Sequence, residues 1–357
     1  RAAVLAMPIV AGRNCEYAID VVTACIESEA SEVRECAALS LPEFVDPGNE
    51  YAIDSVHRRL ECDAVGARAT AAQLLAAVHS TDDEDGIDVA VKTLEDDDGL
   101  VRLSAAQALG LLVTKGNDYA VTEVAQRLEH DDVEVRKAAV FALTMITGKG
   151  DQHAIDEVVA RLAHTKEEIR LFAATKTFRH IIQRGDAWAV GRLVQLLRDE
   201  RREVRLAVVK GLSHAVAKGD LETIREVAEV LLLPDHDHRD TALQALVVLA
   251  EKGNHMVLDA MGTCLEHEDA DTRRSAMKAM AQACHQGDAY AIGVASERLE
   301  HAELDVRRSA VKALVALAKT GDVTCVDAVL ARLRHPHADV RSIAVKGLAK
   351  VVVKGDD

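Results

Sequence analysis

VRRSAVKALVALAKTGD, residues 306–322, carries the plan of the whole chain. An arginine, a helix-length stripe of small aliphatic residues, a glycine and an acid follow one another. The rest of the 357 residues copies that order. With Arg307 as origin, equivalents stand at Arg34, Arg68, Arg102, Arg136, Arg170, Arg205, Arg239, Arg273 and Arg341. The spacing is constant along this series, except that the step from Arg170 to Arg205 is longer by one. Such a period predicts an array in which each unit buries its apolar face only against its neighbours.

Within a unit, the residues after the arginine predict a helix. In the Arg136 copy, Val135, Ala138, Ala139, Ala142, Leu143 and Ile146 recur at three- and four-residue steps, one apolar face. A glycine follows, at Gly48, Gly116, Gly150, Gly185, Gly219, Gly253, Gly287, Gly321 and Gly355, each succeeded by Asp or Asn. The glycine is expected to close the helix in a left-handed conformation. The acid or amide is expected to cap the next helix. That next helix is shorter, as in 154–162, where Ile155, Val158, Val159 and Leu162 share a face. Two antiparallel helices per repeat cannot bury both faces alone, so units must stack.

Composition agrees with this reading. Apolar residues make up 49% of the chain and aromatics only 3%, so the core is aliphatic and suited to closely packed helices. The net charge of −16 disfavours nucleic acid as a partner. Residues 1–100 hold 21 acids against 7 bases, which confines the acidity to one end. Seven cysteines with no CxxC pair read as free thiols of a reducing compartment, cytoplasm, nucleus or organelle stroma. No membrane-length apolar run is present, so a soluble chain without membrane insertion is expected.

The period is also that of tetratricopeptide repeats, but no copy carries their Trp…Leu-Gly…Tyr pattern. The pattern here, shown best by VRKAAVFAL at 135–143 and VRSIAVKGL at 340–348, resembles HEAT repeats, and among them the short HEAT-like units of the bilin-lyase type. The resemblance covers essentially the whole chain. It implies an all-α fold, an α-solenoid superhelix of about ten 34-residue two-helix repeats. Residues 1–13 overlay 137–149 and read as the second helix of a partial repeat. Residues 14–357 then form a continuous array of ten repeats, a segment of a longer one, since neither end carries a polar capping repeat.

What the repeat does not absorb is the place to look for function. Lys210, Lys278, Lys312 and Lys346 recur five residues after the arginine, with Gln107 and Gln244 in matching places, and Arg274 and Arg308 beside them. All lie off the apolar stripe. A row of cations there could hold an acidic, extended partner, or phosphate groups. The Arg170 copy holds the extra residue, placed before Phe178 as a π-bulge or a longer turn. It lies in the most basic part of the chain, residues 161–210, and adds Lys176 and Arg179 as candidates.

Other signals reduce to the repeat. Tyr17, Tyr51, Tyr119, Tyr290 and Trp188 fill one slot and are expected to bury area between neighbours. His130, His164, His267, His301 and His335 recur six residues before the arginine, where a cationic ring would suit a helix C-terminus. Deoxyhypusine hydroxylase, a HEAT-like iron enzyme, uses several His-Glu pairs, whereas this chain has only His267-Glu268. Arg184-Gly185-Asp186 is the Gly-Asp turn preceded by a base.

The expectation is therefore a non-enzymatic scaffold or adaptor, a subunit of a hetero-complex, binding other proteins along an elongated surface. No catalytic, cofactor or metal residues are assigned. Two alternatives stand beside it: a HEAT-like bilin lyase or metal enzyme, and phosphate or nucleic-acid binding through the lysine ladder.

Overall fold

The computed structural model describes residues 2–319 and 322–353. Every regular element among them is helical. The chain forms two compact units, Arg1–Gln183 and Arg184–Asp357. In the first, the second helices Ser31–Phe44, Val65–Val78, Gly99–Leu112 and Val133–Ile146 pack side by side, with Ala2–Val10 against the first of them. In the second unit, Arg202–Ala215, His236–Leu249, Ala270–Ala283, Leu304–Leu317 and Ala338–Val353 do the same. The shorter first helices form the other layer of each stack. Each unit is thus an all-α solenoid of two-helix repeats.

The stripes read from sequence are the buried ones. In the Arg136 repeat Val135, Ala139, Ala142, Leu143 and Ile146 are buried together with Val140, while Ala138 is only half-buried. Ile155, Val158, Val159 and Leu162 are buried on the first helix Gln152–Leu162. Alanine on facing helices lets the backbones approach, so leucine and valine from both layers can fill the space between.

The repeated arginine explains the turn. Arg136 is buried, and its Nη1 donates to the carbonyls of His130, 2.7 Å, and Asp131, 2.9 Å. Arg205 does the same to Asp199, 2.7 Å, and Glu200, 2.9 Å. Arg34, Arg68, Arg102, Arg170, Arg273, Arg307 and Arg341 repeat both bonds. The side chain takes up the carbonyls that the turn between the helices would otherwise leave without donors. Arg239 makes only the first bond, to Leu233.

The glycine does a different job from the one expected. Helix Gly99–Leu112 ends well before Gly116, at Val113, whose backbone is extended. Gly116 sits in the following turn with φ +81°, and its N–H donates 2.9 Å to the carbonyl of Ile146, the last residue of the next repeat's second helix. Gly48, Gly150, Gly185, Gly219, Gly253 and Gly287 take the same conformation and make the equivalent bond. Asn14 and Asp82 do so at φ +58° and +62°, the two non-glycine residues most at home there. Gly321 and Gly355 lie outside the described residues. The capping half of the expectation holds: Asn49, Asp83, Asn117, Asp151, Asp186, Asp220, Asn254, Asp288 and Asp322 each accept a backbone N–H three residues on.

Neighbouring first helices are joined by ion pairs that recur at one repeat position. Arg59 meets Glu27 at 3.2 Å, Arg127 meets Glu95 at 2.9 Å, and Arg161 meets Glu129 at 3.0 Å. Arg298 meets Glu266 at 2.9 Å and Arg332 meets Glu300 at 3.0 Å. In Arg161, Arg298 and Arg332 the Nε–H points off the carboxylate, so these are ion pairs rather than aligned hydrogen bonds. The insertion in the Arg170 repeat is a π-helix, Ala173–Thr177, set within the second helix between Glu167–Phe172 and Phe178–Ile181.

Candidate functional site

Two of the exposed cations five residues after the repeat arginine, Lys312 and Lys346, line a groove between second helices. Arg308, Val311 and Lys312 of Leu304–Leu317 face Asp339, Ile343, Lys346 and Lys350 of Ala338–Val353 across a cavity of about 620 Å³. One repeat earlier, Arg274 and Met277 face Asp305, Arg308 and Lys312 across a cavity of about 330 Å³. Arg308 and Lys312 line both, so the two cavities are one groove over three helices.

Its charge is not simply the sum of its bases. Arg274 Nη1 lies 2.8 Å from Asp271, and Arg308 Nη1 lies 3.0 Å from Asp305, each one turn back on its own helix. These pairs are exposed, and solvent screens them. No ion pair engages Lys312, Lys346 or Lys350 among the described residues.

Of the residues singled out from sequence, the structure brings together Arg274, Arg308, Lys312 and Lys346. Lys278 is exposed on the same helix as Arg274 but lines neither cavity. Lys210 is exposed on Arg202–Ala215, and in the repeat after it Gln244 is turned onto Asp240 at 3.0 Å, so the row does not continue there. Lys176 is exposed on the π-helix, and Arg179, just after it, donates from Nε to His180 at 3.0 Å. Much of the base-rich stretch around them is already engaged: Lys166 with Asp131 at 2.6 Å, and Arg202 with Asp237 and Asp240, each at 2.8 Å. Lys350 was not singled out. It stands one helical turn after Lys346 but has no counterpart in other repeats, so a search for shared positions passes over it.

Two sequence readings need correction. The aromatic slot is not a burial slot. Tyr17 is 76% exposed and Trp188 44% exposed. The tyrosines join neighbours through their hydroxyls, Tyr51 to Asp20 at 2.8 Å, Tyr119 to Asp88 at 2.7 Å and Tyr290 to Asp259 at 2.9 Å. The bond to Asp88 pushes the Tyr119 phenol up to about 12. The turn histidines, in turn, act as acceptors and not as cations at a helix end. The Nδ1 atoms of His130, His164, His267, His301 and His335 each accept the N–H two residues on, at 3.0 to 3.2 Å, which places the ring proton on Nε2. Ser28, Asp96 and Asp199 replace them in kind. Among the described residues no three His, Cys, Asp or Glu side chains converge as a metal-ligand set, and no helix is long and apolar enough to cross a membrane.

A polar cluster that sequence reading missed lies inside the Arg68 repeat. His79, buried at the end of Val65–Val78, presents Nδ1 to the Asp83 carboxylate and Nε2 to His57 Nε2, 2.9 Å away. With Asp83 accepting, His79 donates from Nδ1 and accepts from His57. Gly86 makes room, since a Cβ there would fall 2.6 Å from the His79 ring. Burial, and then His79, lowers the His57 pKa, while Asp54, Asp83 and Asp85 oppose.

Comparison with known proteins places residues 87–179 among HEAT repeats. Among solved structures the chain is similar to an engineered protein, at 20% identity over 93% of this chain and 98% of that one, with a TM-score of 0.29. It is also similar to human deoxyhypusine hydroxylase in complex with glycerol, at 19% identity over 94% and 96%, with a TM-score of 0.30. No curated protein matches it.

Proposed function

We propose that this HEAT-repeat protein is a non-enzymatic interaction scaffold that holds an acidic, extended protein segment in the groove between its last three second helices. The groove lined by Arg274, Arg308, Lys312, Lys346 and Lys350 carries this reading. Helices packed about 8–10 Å apart give three of them a span of roughly 20 Å. An extended peptide rising about 3.3 Å per residue crosses that in roughly six residues. Each exposed pair contributes only about 0.2–1 kcal/mol, so affinity has to be distributed over several acids. Leu304, exposed in the same lining, offers apolar contact as well.

The test is fluorescence anisotropy with a short labelled oligoglutamate peptide and the full chain. Lys312→Glu with Lys346→Glu is expected to weaken binding at least tenfold, and wild-type binding to weaken as salt rises. Equal binding by wild type and variant would remove the groove. Tighter competition by duplex DNA than by the peptide would replace the acidic segment with a phosphate backbone.

A further inference from the structure

The ion-pair rungs between first helices are not continuous. In register, Glu61 is matched by Thr93, Ala163 by Leu196, Arg198 by Val230 and Leu232 by Cys264. At the last of these both partners are uncharged beside an open cavity. Leu232 and Cys264 stand where Glu266 and Arg298 stand in the following pair of repeats. The turn beside them reads Leu233-Pro234 in place of the usual histidine or acid six residues before the arginine. Instead of a closed rung there is a cavity of about 500 Å³, walled by Leu231, Leu232, Leu233, Pro234, Ala260 and Cys264, with Arg239 in its lining. That volume is within the range of sites that take small molecules or single anchor side chains, about 300–1,000 Å³. Leu232 stands at its lip 84% exposed.

Arg239 supplies a second and independent sign. It is 3% exposed, and its Nη1 donates only to Leu233, at 2.6 Å, where the other repeat arginines each hold two carbonyls. One Nη1 hydrogen therefore has no protein acceptor among the described residues. The charge itself is met: Nε donates to Thr272 at 3.0 Å, Nη2 lies 3.9 Å from Asp269, and Glu268 also lines the cavity. The open donor suits a neutral acceptor better than a counter-ion, because an added carboxylate would face Glu268. A peptide offers the matching combination, an apolar side chain beside a backbone carbonyl.

We infer that this cavity docks a partner's peptide segment, taking one large aliphatic or aromatic side chain between Leu232 and Cys264 and a backbone carbonyl at Arg239 Nη1. The inference shares with the scaffold reading a protein partner, but it does not depend on the cationic groove. The burial that pushes the Cys264 thiol up to about 11 keeps that wall an uncharged, apolar surface at neutral pH.

The experiment is an NMR titration of the full chain, with labelled leucine methyls and arginine guanidinium groups, using N-acetyl-leucinamide, N-acetyl-tryptophanamide and octanoate as probes. Both amides are expected to shift Leu231–Leu233 and Arg239 saturably, and octanoate to do so far more weakly. Leu232→Glu with Cys264→Arg rebuilds the rung seen elsewhere and should weaken amide binding at least tenfold without lowering the melting temperature. Should that pair fold poorly, Ala260→Met fills the cavity from the facing helix and carries the same expectation. Lys312→Glu with Lys346→Glu should leave the amide titration unchanged, which separates this site from the groove. Absence of saturable shifts with either amide, equal shifts in the rung-restored variant, or preference for octanoate would each overturn the inference.

Discussion

The arginine that marks each repeat acts mainly on backbone carbonyls. Its position was plain from the period, but its partners were not, because a sequence does not display which carbonyls a turn leaves without donors. Arg205 is the most enclosed, 1% exposed, with Thr241 accepting from Nε at 3.3 Å. Arg205→Met keeps the stem and removes those bonds. Charge-assisted bonds contribute about 1.5–3 kcal/mol each, so the loss of all three should appear in urea denaturation as at least about 4 kcal/mol, while Arg308→Ala, on the surface, changes stability by less than about 0.5 kcal/mol. The His57–His79–Asp83 chain was illegible for another reason: nothing in their spacing marks three residues that meet through a helix end and a turn. Its behaviour has a definite sign. His57 titrates lower in the fold than its unfolded value near 6.5. Between those two values the unfolded chain binds more protons, so the contribution is full above about pH 6.5 and is lost as pH falls through the folded pKa. Thermal melts between pH 7.5 and 5.5 should show a steeper fall for wild type than for His57→Val.

At the scale of the element, the lengthened step from Arg170 to Arg205 located the insertion but left bulge and turn both open. A longer turn leaves the second helix regular, whereas the π-helix Ala173–Thr177 absorbs the residue by widening the helix itself. It leaves Thr177 fully buried with its hydroxyl unpaired. Replacing that hydroxyl by a methyl of the same shape removes an unmet polar group, so Thr177→Val is expected to stabilise the chain by about 1 kcal/mol in urea melts. The glycine turn was legible as a left-handed position and misread as the end of a helix, because its hydrogen bond goes forward to another repeat. Gly116→Ala puts a Cβ on a left-handed backbone and 3.2 Å from the Asp151 carboxylate. The strain is about 1–2 kcal/mol, and calorimetry should register a loss of that size. The aromatic slot held a usable signal: Asp20, Asp88 and Asp259 precede Tyr51, Tyr119 and Tyr290 at one constant spacing.

At the scale of the molecule, shared positions gave the fold, and departures from them gave the candidate sites. The cationic groove was half visible, since Lys312 and Lys346 fall on a repeated position while Lys350 does not. The Leu232–Cys264 cavity was invisible to a search for what repeats, because it consists of two charges that are missing. The acidic excess of residues 1–100 and the cations at 274–350 occupy different units of the fold. Binding of an acidic segment at the second should weaken as salt rises.

The glycine turns also give each junction its own clock. Gly116 N–H is tied to Ile146 of the following repeat, and Gly219 N–H to Leu249. Neither amide can exchange with solvent until that junction opens. Hydrogen exchange at a handful of glycines therefore reads the opening of successive junctions one by one, within a chain whose similar repeats make most other probes ambiguous. The order in which those glycines exchange would show where a partner clamps the stack and where the stack yields first.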